Sequence, residues 1–312
     1  MDHSLQLISP LQRAFYLKRL SGLRDIPPAN LAAIALLAEE HSFSAGSPLC
    51  RAGERVDRVH VVVDGQVHVR GGEHGDEVLG TEHSIGMLSL LARDDKGLDA
   101  VAKTDTQTLA LRADDLFSAF EDDFGILYNQ IRDLAAQTLQ VRRQTPDGAY
   151  LGGTLPLPDD VPTGDLDVVQ KLLFMRDGPL RSAPMNALIT LAQHMRTARF
   201  EPRTGLWQIG APSGFMYVIL EGSVRCTTED GRQFVCGPGY PLGNLESQCD
   251  APRWYKAVAE TAVTGLRADI DVFLDTLEQH SEMAIDFVAG MASALITRRA
   301  ELRNEIALPV VA

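Results

Sequence analysis

The chain repeats itself, and no other feature constrains its fold so tightly. FSAGSPLCRAGERVDRVHVVVDGQVHV runs from Phe43 to Val69, and FEPRTGLWQIGAPSGFMYVILEGSVRC from Phe200 to Cys226. Phe43 pairs with Phe200, Gly53 with Gly210, Gly65 with Gly222 and Gly86 with Gly243, each pair 157 positions apart. A constant offset over this length means two copies of one folding unit, aligned without a gap. The repeated glycines mark places where the backbone takes φ > 0 or passes close to another group.

A chain of 312 residues has room for two such units, each with its own core. The formal net charge of −13 argues against a nucleic-acid partner, which asks for a basic surface. Cys50, Cys226, Cys236 and Cys249 form no C-x-x-C pair, and none recurs in both copies. They read as reduced thiols of a cytoplasmic protein, with neither a disulfide framework nor a zinc site. The N-terminus lacks the basic start and apolar block of a signal peptide. The longest apolar run, Leu31 to Ala38, is too short to span a bilayer, so no membrane insertion is expected.

Residues 10–42 read as helical, with Leu31, Ile34, Ala35 and Ala38 on one face. Residues 43–112 read as short strands punctuated by Gly46, Gly53, Asp64-Gly65 and Gly71-Gly72, the pattern of a sandwich or jelly roll. Residues 113–143 return to helix, and 144–169, rich in Pro, Gly and Asp, read as a linker. The order then recurs: helix at 171–198, β at 200–266 with a hairpin turn at Asp230-Gly231, helix at 268–304. The expected fold is mainly β with flanking helices, in domains at 10–143 and 171–304 joined by 144–170.

Aromatic-x-x-Gly, then Gly-(Asp/Glu), an apolar strand and Gly-x-Val together resemble the cyclic nucleotide-binding domain. This is the domain of the catabolite activator protein and of the regulatory subunit of cAMP-dependent protein kinase. The first copy supplies Phe43, Gly46, Gly53-Glu54, Val59 to Val63, Gly65 and Val67. The second supplies Phe200, Gly210, Tyr217 to Leu220, Gly222 and Val224, with Arg203 and Ala211 at two departures. The resemblance implies two β-rolls of jelly-roll type, each with N- and C-terminal helices. It also implies a phosphate-binding Gly-Glu-Leu turn, an Arg nine residues after the Glu, and cAMP or cGMP as ligand. The physical logic is a cyclic phosphate held by helix N–H groups and an Arg, with the Glu accepting from the ribose 2′-OH.

Both copies depart from that pattern. In the first, Gly86 is followed by Met87, which cannot accept a strong hydrogen bond, and Lys96 replaces the Arg. This pocket reads as degenerate. In the second, Gly243-Asn244-Leu245 keeps an acceptor in Asn244, and Arg253 stands at the arginine position. Trp254 and Tyr255 occupy positions where the family has small residues. Two readings stay open for this site. Either Arg253 holds an anionic ligand, or it pairs with Glu246 or Asp250 while the aromatic side chains fill the hole.

His60, His68, His74 and His83 lie near Glu73, Asp76 and Glu82 at spacings that match no metal motif, and read as exposed strand and loop histidines. Arg142-Arg143-Gln144-Thr145 resembles a basic kinase site but reads as a solvated helix end. No G-x-S-x-G, P-loop or G-x-G-x-x-G is present, so no enzyme is expected. Ile270, Leu274, Leu277, Ser281, Ala284, Val288, Met291 and Leu295 make a heptad-like seam with a break near Ser281. That seam suits either a protein partner or homodimer met through the C-terminal helix, or packing within the chain. The expected function is a sensor signalling to a partner protein, with a ligand-independent interaction scaffold as the alternative.

Overall fold

The computed structural model describes residues 8–71, 75–94, 96–144, 165–176, 180 and 183–307. The first repeat runs α1 (Pro10–Leu17), α2 (Pro28–Leu37), β1 (Glu39–Phe43), β2 (Pro48–Cys50), β3 (Arg58–Asp64), β4 (Val67–Gly71), β5 (Gly75–Leu79) and β6 (Ser84–Ile85). It continues through α3 (Met87–Leu91), β7 (Leu98–Ala102), β8 (Thr106–Arg112), α4 (Ala113–Asp122) and α5 (Phe124–Gln144). The second runs α6 (Val168–Arg176), α7 (Met185–His194), β9 (Arg196–Phe200), β10 (Gly205–Trp207), β11 (Phe215–Glu221), β12 (Val224–Thr228), β13 (Gln233–Cys236) and β14 (Pro241–Leu242). It closes with α8 (Asn244–Gln248), β15 (Tyr255–Ala259), β16 (Val263–Asp269), α9 (Ile270–Gln279) and α10 (Ser281–Ala307). The offset of 157 therefore holds for both ends of β1, β2, β3, β4, β6, β7 and β8, and of α2, α3 and α4. Most of the linker segment, 145–164, lies outside the described residues.

Each roll consists of two antiparallel sheets, ordered β1-β8-β3-β6 and β2-β7-β4-β5 in the first repeat. In the second they are β9-β16-β11-β14 and β10-β15-β12-β13. The register is copied as well: Phe43 faces Thr106 as Phe200 faces Val263, and Val67 faces Ala102 as Val224 faces Ala259. Alternation buries Leu98, Ala100 and Ala102 on β7 while Asp99 and Val101 face out, as a strand with one solvated face requires. Gly65 and Gly222 turn the β3–β4 and β11–β12 connections at φ of +93° and +83°. A side chain there would also collide with the backbone: a Cβ on Gly65 would lie 2.7 Å from Thr106 Cα, and one on Gly222 3.0 Å from Ala262 C.

Two boundaries differ from the sequence expectation. Residues 39–42 belong to β1, because the helical face ends at Ala38 and the chain from Glu39 onward pairs with β8 at the sheet edge. The helix expected over 171–198 is two helices, the second opened by Pro184 as N-cap, and the chain is already strand at Arg196. The break before Ser281 is present, with α9 ending at Gln279 and α10 starting at Ser281.

The chain forms two compact units. Unit 1 comprises Met1–Asp133 with Val288–Ala312, and unit 2 comprises Leu134–Phe287. The last part of α10 therefore belongs to unit 1, and the last part of α5 to unit 2. Leu277, Ala284, Val288 and Leu295 of the seam are buried within the chain. The face that α10 leaves outward carries Glu282, Ser293, Thr297 and Glu301. No helix among the described residues is long and apolar enough to cross a membrane.

The two rolls are filled differently. Roll 1 buries Val59, Val61, Val67, Val69, Leu98 and Leu109. Roll 2 buries Trp207, Tyr217, Phe234, Tyr240 and Tyr255. The first-repeat residues that match those five are Cys50, His60, Glu77, His83 and Leu98. Aromatic rings thus take up the interior of the second roll at positions where the first carries smaller or polar groups.

Candidate functional site

The phosphate turn is built alike in both repeats. Gly86 (φ +88°) and Gly243 (φ +80°) are left-handed N-caps of the five-residue helices α3 and α8. The strand-side anchor is copied too: Gly53 N–H donates to the Lys96 carbonyl at 2.7 Å, and Gly210 N–H to the Arg253 carbonyl at 2.8 Å. The carbonyls of Lys96 and Arg253 are thus held alike, while the Lys96 N–H donates to Asp94 Oδ1 and the Arg253 N–H to the Ala211 carbonyl, and their side chains diverge.

In roll 1, Lys96 is exposed and Met87 half-buried. What covers Gly86 is Val56, whose Cγ1 would lie 2.8 Å from a Cβ at that glycine. Asp99 accepts from Ala52 N–H at 2.8 Å and faces solvent.

In roll 2, Arg253 turns inward and is 1% exposed. Its Nη1 donates to the Gly243 carbonyl at 2.7 Å, and its Nη2 donates to the Phe215 carbonyl. The guanidinium carbon stands 4.2 Å from the Trp207 ring centroid and 5.2 Å from that of Phe215. It lies directly over Gly243: a Cβ there would sit 2.9 Å from Arg253 Cζ and 3.1 Å from Trp207. The Ser247 hydroxyl lies 2.8 Å from each of the same two carbonyls and shares its one proton between them. Desolvation lowers the Arg253 pKa, and the Glu246 carboxylate, with Oε2 4.0 Å from Nη1, opposes that effect.

Glu246 on α8 is 2% exposed, and its Oε1 has no hydrogen-bond partner among the described residues. Burial pushes its pKa up, against the pull of Arg253, Arg142 and Arg143. Asp250, the other carboxylate considered for Arg253, is exposed. Asn244 is half-buried, Leu245 packs inside, Trp254 stacks on Phe234 with centroids 5.8 Å apart, and Tyr255 meets the same ring edge-on at 5.2 Å. Gly243, Asn244, Leu245, Arg253, Trp254 and Tyr255 thus share one region, with Nη1 and Nη2 of Arg253 held by backbone acceptors and its Nε buried without a hydrogen-bond partner among the described residues.

Three participants escaped the sequence reading. Trp207 and Phe215 come from other strands, and nothing local ties them to Arg253. Arg142 is buried at 4% exposure, not solvated as a helix end. The reason is that the end of α5 packs in unit 2, and the signal was periodicity: Leu134, Thr138 and Arg142 fall four apart on one face.

The histidines do not form a cluster. His60 is buried, shares a hydrogen bond with Thr108 Oγ1 at 3.1 Å and meets the Phe43 ring edge-on. Burial, with the charges of His41 and Arg58, lowers its pKa to about 4. His68 pairs with Asp76 at 2.5 Å, His83 faces the Gly80 and Thr81 carbonyls, and His74 lies outside the described residues. The expectation of exposed histidines therefore fails at His60, where His41 and Phe43 of β1 and Thr108 of β8 close around the ring. Among the described residues no group of His, Cys, Asp and Glu could hold a metal ion. All four cysteines are free thiols.

Two rolls of eight antiparallel strands, each with a glycine-capped turn of helix between the sixth and seventh, define a tandem β-roll architecture. The family model for the cyclic nucleotide-binding domain matches residues 40–123 and again 197–280, and the chain belongs to that family. Among solved structures, cAMP-bound PfPKA-R aligns at 12% identity over 96% of this chain and 92% of that one, with a TM-score of 0.38. The regulatory subunit of a cAMP-independent protein kinase A from Trypanosoma brucei aligns at 18% identity over 96% and 91%, TM-score 0.34. The regulatory domain of Toxoplasma gondii PKA with cAMP aligns at 14% over 88% and 96%, TM-score 0.35. A comparison with curated proteins returns no match.

Proposed function

We propose that this is a non-enzymatic regulatory protein of the cytoplasm that acts by contact with another protein, its two rolls serving as scaffolds. In the first repeat Gly86, Met87 and Lys96 make a lapsed phosphate turn. In the second, the chain's own arginine fills the place over the turn. The observation that carries this reading is the Arg253 guanidinium, buried over Gly243 with Nη1 and Nη2 donating to the Gly243 and Phe215 carbonyls, while Nε has no hydrogen-bond partner among the described residues. A cyclic phosphate would have to displace it from both carbonyls and from the Trp207 face, a cost that ligand binding must then repay. The outward face of α10 is polar, which fits a partner contact that is itself polar.

The rival reading has domain 2 bind cAMP, cGMP or a similar anion through Gly243, Asn244, Leu245 and Arg253. Its support is that an arginine stands at the family's position at all. Thermal unfolding of the full chain with cyclic mono- and dinucleotides separates the two. The scaffold reading expects no shift at about 1 mM nucleotide. A ligand at 100 times its Kd would add about 2.7 kcal/mol. A shift of that kind, abolished by Arg253→Ala, would establish the sensor in its place.

A further inference from the structure

Roll 2 contains a second buried guanidinium. Arg142, near the end of α5, is 4% exposed, and its neighbours Thr138 and Val141 are buried with it. Its guanidinium carbon lies 5.0 Å from the Phe234 ring centroid and 5.3 Å from that of Tyr240. Tyr240, Tyr255, Cys236 and Glu246 are the titratable groups that face it, and they raise its pKa in spite of the burial that works to lower it. The two rings that flank it come from β13 and from the turn before β14, and the groups whose charge acts on it extend to β15 and α8. The next residue fastens the helix end: Arg232 Nη1 donates to the Arg143 carbonyl at 3.0 Å, and the Arg143 guanidinium lies 5.9 Å from the Trp254 ring centroid. All of this lies within unit 2.

The sequence repeats the arginine, though not its buried aromatic setting. The position matching Arg142 in the second repeat is Arg299, on the part of α10 that belongs to unit 1. In unit 1, Arg303 of α10 lies against Gly75 of β5, where a Cβ would sit 2.9 Å from its Cδ. Each roll thus receives a basic helix end from the repeat that did not build its strands.

We infer that roll 2 is a receptor for a guanidinium group, and that Arg142 of the same chain is its ligand. The end of α5 is then a tethered plug. This goes beyond the scaffold reading, which concerns Arg253 and the phosphate turn; the plug occupies the aromatic interior beside it. Two aromatic faces and a buried carboxylate suit a flat, weakly hydrated cation far better than a compact ammonium. A soluble ligand enters this roll only when α5 withdraws.

The test is chemical rescue in the full-length protein. Arg142→Ala leaves a guanidinium-shaped hole, and the probes are N-ethylguanidinium and ethylammonium, each at about 10 mM. Two readouts are followed: the midpoint of thermal unfolding, and hydrogen exchange of the amides from Leu139 to Gln144 against those of β12 and β15. Arg142→Ala is expected to lower the midpoint and to speed exchange at the α5 end about tenfold, with β12 and β15 unchanged. N-ethylguanidinium restores at least half of the lost midpoint in the variant and none in the wild type; ethylammonium restores none. Exchange at the α5 end equal to wild type, or equal effects of the two cations, would overturn the inference. Should Arg142→Ala not fold, Arg142→Lys decides on exchange alone. It keeps the charge and loses the planar fork, so exchange about threefold faster than wild type supports the receptor, and an unchanged rate refutes it.

Discussion

Replacing Arg253 by alanine tests whether this side chain is part of the fold or a ligand group held in reserve. Two charge-assisted hydrogen bonds disappear, to the Gly243 and Phe215 carbonyls. Bonds to charged groups are worth about 1.5–3 kcal/mol each. The low end applies, because Ser247 can take over both acceptors: its N–H already reaches the Gly243 carbonyl at 3.3 Å, and its single O–H proton is then available to the Phe215 carbonyl at 2.8 Å. Loss of the stack on Trp207 adds about 1 kcal/mol. Glu246 loses its nearest opposite charge, but its raised pKa lets it shed the cost by taking up a proton. The total is about 3–5 kcal/mol. For a unit of this size each kcal/mol moves Tm by about 2–4 °C, so the unit 2 transition should fall by roughly 6–20 °C. Differential scanning calorimetry of the full chain, without ligand, reads it. Arg253→Lys keeps the charge without the fork and should fall in between. Lys96→Ala, at the matching exposed position, should stay within about 0.5 kcal/mol of wild type. A Tm for Arg253→Ala within about 2 °C of wild type would refute the structural role and return this arginine to ligand duty.

Two further outcomes are set by the folded geometry. The unfolded chain protonates His60 near pH 6.5 and the folded protein near 4, so its effect is nil above pH 6.5 and destabilising below, at about 1.4 kcal/mol per pH unit down to 4. Urea unfolding at pH 7 and 5.5 should therefore show roughly 1.2 kcal/mol more loss in the wild type than in His60→Gln, and equal losses would disprove the buried neutral ring. Gly222→Ala incurs the left-handed cost of about 1–2 kcal/mol and a collision with the backbone at Ala262 besides, whereas Gly46→Ala, with nothing within 4 Å, incurs the first alone. Equal destabilisation of the two variants would show that the β11–β12 turn yields more easily than its packing indicates.

The fold was legible because the turns are written in glycine. Gly65 and Gly222, or Gly86 and Gly243, are fixed by φ and by close approach, and such demands survive where side-chain identity drifts. The strand at Glu39–Phe43 was less so, since its polar residues carry no alternation and only pairing with β8 makes it a strand. At the site, the spacing from Gly243 located Arg253 but not the direction of its side chain. That direction depends on Trp207 and Phe215, which lie on β10 and β11, and on whether their rings leave room for anything else. Arg142 was harder still: its helix looks amphipathic either way, and which body receives its end is a long-range matter.

The passage of α5 and α10 from one body to the other has a consequence for inheritance. The segment that was duplicated and the segment that closes into a solid are out of step by the end of a helix. A fragment cut in the stretch between Gln144 and Val168 would carry one complete copy of the ancestral text and an incomplete object. It would lack the helix end that finishes its own body and hold one that belongs to its neighbour. Substitutions near Arg142 are then errors in the first copy whose damage appears in the second. Lineages that drifted apart after the duplication would still have to change these two helix ends in concert with the strands of the opposite copy.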